Sequence, residues 1–243
     1  MHRNCLPGKV TALLLFCALW FHGACAQETT TQSLYWIRYQ NQLIFSPTLY
    51  LNNEIDNRRF LGADVQNQLI THSRVHFRIG RWDVAGGLTC SWAYAQFPEN
   101  PVGHATFEMR PVAEITYELP VGRWQIQQRI RVDNRFFEQH KDISVFEASD
   151  FTARFRYRLQ LRIPVLKRNE KPFLIARLAD EVMVNHRQNF FDQNRIYFSA
   201  DFILSKKITI EPGYIYIHQQ RFATSDFFNR HVMRFTLLHR IEL

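Results

Sequence analysis

From Phe151 to Ile163 apolar and polar side chains alternate without a break. Phe151, Ala153, Phe155, Tyr157, Leu159, Leu161 and Ile163 fall on one side, and Thr152, Arg154, Arg156, Arg158, Gln160 and Arg162 on the other. Side chains of a strand point alternately to its two faces. One face must therefore meet an apolar medium while the other carries four arginines, a load that a packed apolar core does not accept. The wall of a transmembrane β-barrel meets that demand.

Comparable segments recur over residues 34–44, 48–58, 69–79, 82–96, 105–119, 123–137, 150–163, 173–186, 194–204, 208–219 and 231–242, with no helical periodicity and no composition break between them. Their length of roughly ten residues or more suits a tilted strand crossing a bilayer. Connections alternate between short ones, such as Ser46-Pro47, Gly80-Arg81 and Val121-Gly122, and longer ones, such as 59–68, 97–104, 138–149 and 220–230. Outer-membrane barrels have short periplasmic turns and longer external loops. The pattern predicts an all-β fold: an antiparallel up-and-down transmembrane barrel of about 10–12 strands in one domain, residues 34–243, after a short segment at 27–33. Eleven segments are visible where an even count is expected.

Trp82 and Trp124 each follow a short turn and share the apolar parity of Val84 and Ile126. Amphipathic rings at such positions mark a membrane boundary. If Val121-Gly122 is a two-residue loop, Glu108 faces Arg135, Arg110 faces Asp133 and Glu114 faces Arg129, three pairs of opposite charge. The same inward face collects Arg154, Arg156, Arg158, Arg162 and Arg195, and the small residues Ala85, Gly87, Thr89, Ser91, Ala93 and Ala95 leave room for long side chains. Small barrels fill their interiors with side chains. Two readings follow: a barrel filled by an Arg and Glu network, or a narrow anion-favouring channel.

The chain opens with Arg3 and Lys9, an apolar run from Val10 to Phe21, and Ala24-Cys25-Ala26. This is the layout of a secretory signal, residues 1–26, cleaved after Ala26, and the apolar run is too short to span a bilayer as a helix. The mature chain keeps only Cys90 of the four cysteines, so no intrachain disulfide is available, and its formal charge falls from +8 to +6. The arginines are spread over alternating strand positions, which argues against nucleic acid. The expected address is the outer membrane. The expected partners are its lipid and the machinery that assembles barrels, and oligomeric state stays open.

No HExxH, Walker, GxSxG or glycine-rich phosphate motif is present. His72 and His76 lie about 13 Å apart on one strand, at ~3.3 Å per residue, too far to share a metal, and neither metal nor cofactor is expected. One weak enzymatic reading remains. If the last hairpin pairs His218 with His231, these histidines and Ser225 and Asp226 could furnish a lipid hydrolase at the external rim. The runner-up to the membrane barrel is a soluble periplasmic barrel binding an apolar ligand, with apolar residues inward and arginines outward.

Phe191-Asp192-Gln193-Asn194-Arg195-Ile196-Tyr197, Glu211-Pro212-Gly213-Tyr214-Ile215-Tyr216, Arg230-His231-Val232 and the Arg154–Arg158 strand resemble an uncharacterised family of outer-membrane barrels of Bacteroidota, a domain of unknown function. The resemblance implies a signal-bearing envelope protein with no established activity and no catalytic residues to carry over. Such barrels commonly end in an aromatic residue, whereas this sequence ends Arg240-Ile241-Glu242-Leu243.

Overall fold

In the computed structural model, which describes residues 28–100, 103–138, 149–168, 171–187, 189–221 and 225–243, the chain forms a closed β-barrel. Its strands are β1 (Thr29–Ile44), β2 (Leu49–Phe60), β3 (Gln66–Ile79), β4 (Trp82–Ala93), β5 (Thr106–Val121), β6 (Trp124–Glu138), β7 (Ser149–Arg168), β8 (Lys171–Asn185), β9 (Phe191–Ile203), β10 (Ile208–Gln220) and β11 (Phe227–Glu242). The expected signal at 1–26 lies outside the described residues, as does most of the connection expected at 138–149.

Eleven strands are present among the described residues, and they close the barrel, so the expectation of an even count is corrected. Consecutive strands pair antiparallel, which leaves the first and last of an odd number running the same way. The barrel closes by a parallel ladder of β1 on β11, from Thr29 opposite Phe227 to Ile44 opposite Glu242. That ladder also recruits Thr29–Ser33 into β1. A Thr- and Ser-rich stretch without apolar alternation reads as a lead-in, yet here it finds a partner in the start of β11. The two rims differ: short turns after β1, β3, β5 and β9 form a turn rim, and longer connections after β2, β4, β8 and β10 form a loop rim.

The turn between β5 and β6 is one step later than the sequence pattern suggested. Val121 pairs with Trp124, and Gly122-Arg123 forms the turn with Gly122 at φ +58°. A positive φ at the first central position is what a two-residue hairpin turn demands, and glycine supplies it without a steric penalty. Gly80 does the same at φ +59° between Ile79 and Trp82. The shared Gly-Arg-Trp triplet was the available signal, since reading both turns alike gives the observed register. Every expected partner in this hairpin therefore shifts by two residues: Glu114 stands opposite Arg131, Val112 opposite Asp133 and Glu108 opposite Phe137. A two-residue shift preserves the faces, so the charges still point inward.

Outside, large apolar side chains are exposed all around the wall, including Ile37, Ile55, Val75, Leu88, Ile130, Leu159, Phe198 and Phe235. Inside, Glu54, Asp56, Arg74, Glu108, Arg131, Asp133 and Glu181 are buried. The arrangement expected for a soluble ligand-binding barrel, apolar inward and arginines outward, is therefore not the one observed. One wall is packed unusually closely: a Cβ on Gly87 would lie 2.0 Å from the carbonyl oxygen of Ser73 and 2.7 Å from the Cα of Arg74.

Candidate functional site: a lumen crossed by ion pairs

Alternation points one side chain in two from each strand into the lumen, where long arginines meet carboxylates from other strands. Glu181 on β8 is fully buried; it accepts hydrogen bonds from Arg129 Nη2 at 2.6 Å, Arg156 Nη2 at 2.9 Å and the Tyr197 hydroxyl at 2.7 Å. Asp133, equally buried, accepts from Arg131 Nε at 2.6 Å and Arg154 Nη2 at 2.8 Å, with Arg156 Nη1 at 3.4 Å. Arg156 thus bridges the two acids. Glu114 lies 3.5 Å from Arg129 and 3.7 Å from Arg74, which also holds Glu54. Glu54 and Asp56 share Arg38, and Asp56 binds Arg58 at 2.9 Å. Arg154 reaches on to Asp192 at 3.1 Å.

These contacts form a continuous chain of alternating charge from Arg58 on β2, through Arg38, Arg74, Arg129 and Arg156, to Asp192 on β9. It crosses the lumen as a belt. A second chain lies toward the turn rim, where Arg177 joins Glu211 at 2.9 Å and also binds Asp201, Arg234 binds Glu211, and Arg162 stands 3.7 Å from Asp201. Charge-assisted, often forked contacts of this kind are the strong class of hydrogen bond. Each belt acid except the terminal Asp192 has at least two basic partners, so at Glu54, Asp56, Glu114, Asp133 and Glu181 the loss of one arginine leaves the carboxylate still engaged.

Of the pairs expected across the β5–β6 hairpin, Glu108 with Arg135 and Glu114 with Arg129 are in contact, reached diagonally instead of directly across. No Arg110 to Asp133 ion pair occurs among the described contacts; Arg110 forks onto Glu108 of its own strand. Among the described residues Arg158 has no carboxylate within ion-pair distance, and it donates to Gln127 at 3.3 Å. Arg162 donates to Gln125 at 3.0 Å. Arg195 donates to Gln193 at 2.9 Å.

The histidine arrangement imagined for a hydrolase does not form. The last hairpin pairs His218 with Asn229 and Tyr216 with His231, again two residues from the expected register. His218 Nδ1 lies 2.8 Å from Asn229 Oδ1, and its ring stacks on Phe227. His231 Nδ1 lies 2.6 Å from the Tyr214 hydroxyl. Asp226 pairs with Arg221 at 3.3 Å, Ser225 is exposed, and among the described residues no hydrogen bond joins Ser225 to either histidine. His72 Nδ1 contacts Thr89 at 2.6 Å, and His76 Nδ1 contacts Asp83 at 2.7 Å. Among the described residues no group of three or more His, Cys, Asp or Glu is placed to hold a metal ion.

One feature of the lumen escaped the sequence reading. Leu34, Trp36, Phe60, Ala95, Ala179, Tyr197, Ile215, Ile217 and Val232 form a buried apolar cluster inside the wall. Parity gives the signal, since Leu34 and Trp36 share the face of Arg38. The connection after β4 turns into the mouth beside this cluster: Gln96 carbonyl oxygen accepts from Gln32 at 2.8 Å, and Phe97 packs on Phe228 with ring centroids 5.5 Å apart. A cavity of about 1010 Å³ follows the lumen, with Ser46 and Arg240 at one rim and Gln96 and Arg221 at the other.

A family model described as "Protein of unknown function (DUF2490)" matches residues 34–229. The chain belongs to this DUF2490 family. The match runs from the apolar cluster at Leu34 into the first residues of β11 and takes in the whole belt. No curated protein matches the chain. For this DUF2490 member, then, the lumen itself has to supply the functional argument.

Proposed function

We propose that this chain is an integral outer-membrane β-barrel whose lumen is closed at mid-height by the ion-pair belt. The observation that carries the reading is the inverted wall, with charges inside and apolar side chains outside. Two outward aromatic girdles support it. Trp82, Tyr117 and Trp124 stand near the turn rim, and Trp92, Phe107, Phe136 and Phe151 near the loop rim. Ten residues separate Trp82 from Trp92, about 33 Å of strand at ~3.3 Å per residue, or about 25 Å along the axis at a tilt of ~40°. That is the height of the apolar band of a membrane barrel.

Several outward polar groups between the girdles pair with one another, as a lipid medium favours. Ser73 donates to Asn53 at 2.8 Å, Tyr157 to Gln128 at 3.1 Å and Asn194 to Asp180 at 2.6 Å. The export signal expected at 1–26 is consistent with this address.

The burial of Asp133 and Glu181 beneath the arginines they bind supports closure at this level. The expected result is a carbonate-resistant membrane protein that passes little current when reconstituted in a planar bilayer. Recovery in the soluble periplasmic fraction would sink the membrane reading. A second reading, the narrow anion-favouring path, is favoured by the reach of the cavity to both rims and by the acid-free Arg158 and Arg240. Steady anion-selective current from the wild-type barrel would establish that reading in place of the closed one.

A further inference from the structure

Among the described residues, two guanidinium groups in the loop-side half of the lumen have no carboxylate within ion-pair distance. Arg195 stands directly opposite Glu181 in the β8–β9 register, but both oxygens of that acid are taken by Arg129, Arg156 and Tyr197. Its only hydrogen-bond acceptor among the described residues is the neutral amide of Gln193, bound through Nε, so the outer fork of the guanidinium is free. Arg230 on β11 donates at 2.8 Å to Gln32 and at 2.8 Å to Gln219, both neutral, and lies within electrostatic reach of Arg195. Arg58 is close by, over the Trp36 ring at 3.8 Å, and Arg195 lies over the same ring at 5.7 Å.

Two like charges held near each other, with Glu181 as a shared counter-charge already bound by Arg129 and Arg156, are unfavourable in a partly desolvated space. Elsewhere in this lumen the belt arginines each contact at least one carboxylate, as Arg38, Arg74, Arg129, Arg154 and Arg156 each contact two. Beside Arg195 and Arg230 lie the rings of Trp36 and Phe228, each only 3% exposed, with Arg58 and Arg195 over the first and Arg221 and Arg230 over the second. The Trp36 indole N–H is itself buried without an acceptor. Free guanidinium forks beside an apolar wall suit an anion carried on an apolar body, since a fork matches the geometry of a carboxylate or phosphate.

We propose that the loop-side vestibule is a binding site for a soluble oxyanion, carboxylate or phosphate, attached to an apolar body, with Arg195 and Arg230 turning onto the anionic group and so uncovering Trp36 and Phe228 for the rest. The site faces the lumen, so headgroups of surrounding lipid do not reach it, and it requires only the barrel interior, whether or not the barrel conducts. Sites of this kind cost stability in the empty protein, because their charges are arranged for a ligand instead of for each other.

The test uses the full chain folded in a neutral detergent, titrated calorimetrically with benzoate, phenyl phosphate, inorganic phosphate and benzyl alcohol. Saturable binding of benzoate or phenyl phosphate is expected, with inorganic phosphate weaker and benzyl alcohol weaker still. Arg195→Gln and Arg230→Gln should each weaken binding at least tenfold, and Arg240→Gln, at the opposite rim, should leave it unchanged. The thermal midpoint of ligand-free Arg195→Gln should equal or exceed that of the wild type. The proposal is overturned if the wild type binds none of the anions saturably, if benzyl alcohol binds as well as benzoate, or if the glutamine variants bind as the wild type does. It is also overturned if Arg195→Gln lowers the midpoint, which would make Arg195 a structural member of the belt.

Discussion

Glu181 concentrates the energetics of the lumen in one side chain. It has no exposed surface, and its two oxygens engage Arg129, Arg156 and Tyr197. Replacing it with glutamine keeps the volume but removes the charge that two buried guanidinium groups require. Breaking a buried pair from one side costs about 3–5 kcal/mol, since the remaining charge stays desolvated. The expected outcome for Glu181→Gln is a loss of that size in urea-induced unfolding in lipid or detergent, whereas Arg158→Gln, whose arginine has no acid partner, should cost far less. Which face Arg156 or Arg158 occupies was legible in the sequence, because strand parity is strict. Which acid each one takes was not. Glu181 stands opposite Arg158 and Arg195, yet it bonds Arg129 from β6, two strands away. A guanidinium on a long flexible stem can reach past its register neighbour, and in a closed barrel residues from distant strands compete for the same carboxylate.

At the level of the elements, the hairpins repay closer reading than single residues do. Strand number and approximate bounds were visible because each segment alternates and is punctuated by Gly, Pro or polar turns. Register was not, because opposite charges two positions apart satisfy either alignment, and a shift of two leaves every side chain on its own face. The deciding information sat in the turns. Gly80 and Gly122 adopt φ of +59° and +58°, where an L side chain pays about 1–2 kcal/mol for the left-handed conformation. Gly122→Ala should therefore lower folding stability by about that amount while Gly122→Asn, which tolerates this region better, costs less. The Gly80→Ala change should add to it almost independently, because the two turns share no contacts. Equal stability for alanine and asparagine at position 122 would show that the turn does not hold its positive φ in solution.

For the whole molecule, the question is what medium the outer wall meets, and one residue allows a direct measurement. Between the two aromatic girdles Asp180 is the single carboxylate, Lys or Arg on the outer face among the described residues, set beside Leu159 and Ile196 and bonded only to Asn194. Alternation made the wall's polarity and the eleven segments legible from the start, whereas the parallel closure was hidden, because a ladder between the first and last strands leaves no local mark in the sequence. In water an exposed Asp180 would be nearly free, and exchanging it for Val or Lys would change stability by little, as at most surface sites. In a hydrocarbon medium the same exchanges diverge. Asp180→Val should stabilise the barrel by about 1–2 kcal/mol, the carboxylate being the milder of the lipid-facing charges. Asp180→Lys should destabilise it by up to ~2–4 kcal/mol relative to the apolar variant near mid-depth. Reversible unfolding in phospholipid vesicles measures both. Opposite signs for the two substitutions in vesicles, with the difference shrinking in a short-chain detergent that wets the wall, are the signature of a wall facing lipid. Two near-zero values would mean that this face of the barrel meets water, and the inverted wall would then need another occupant.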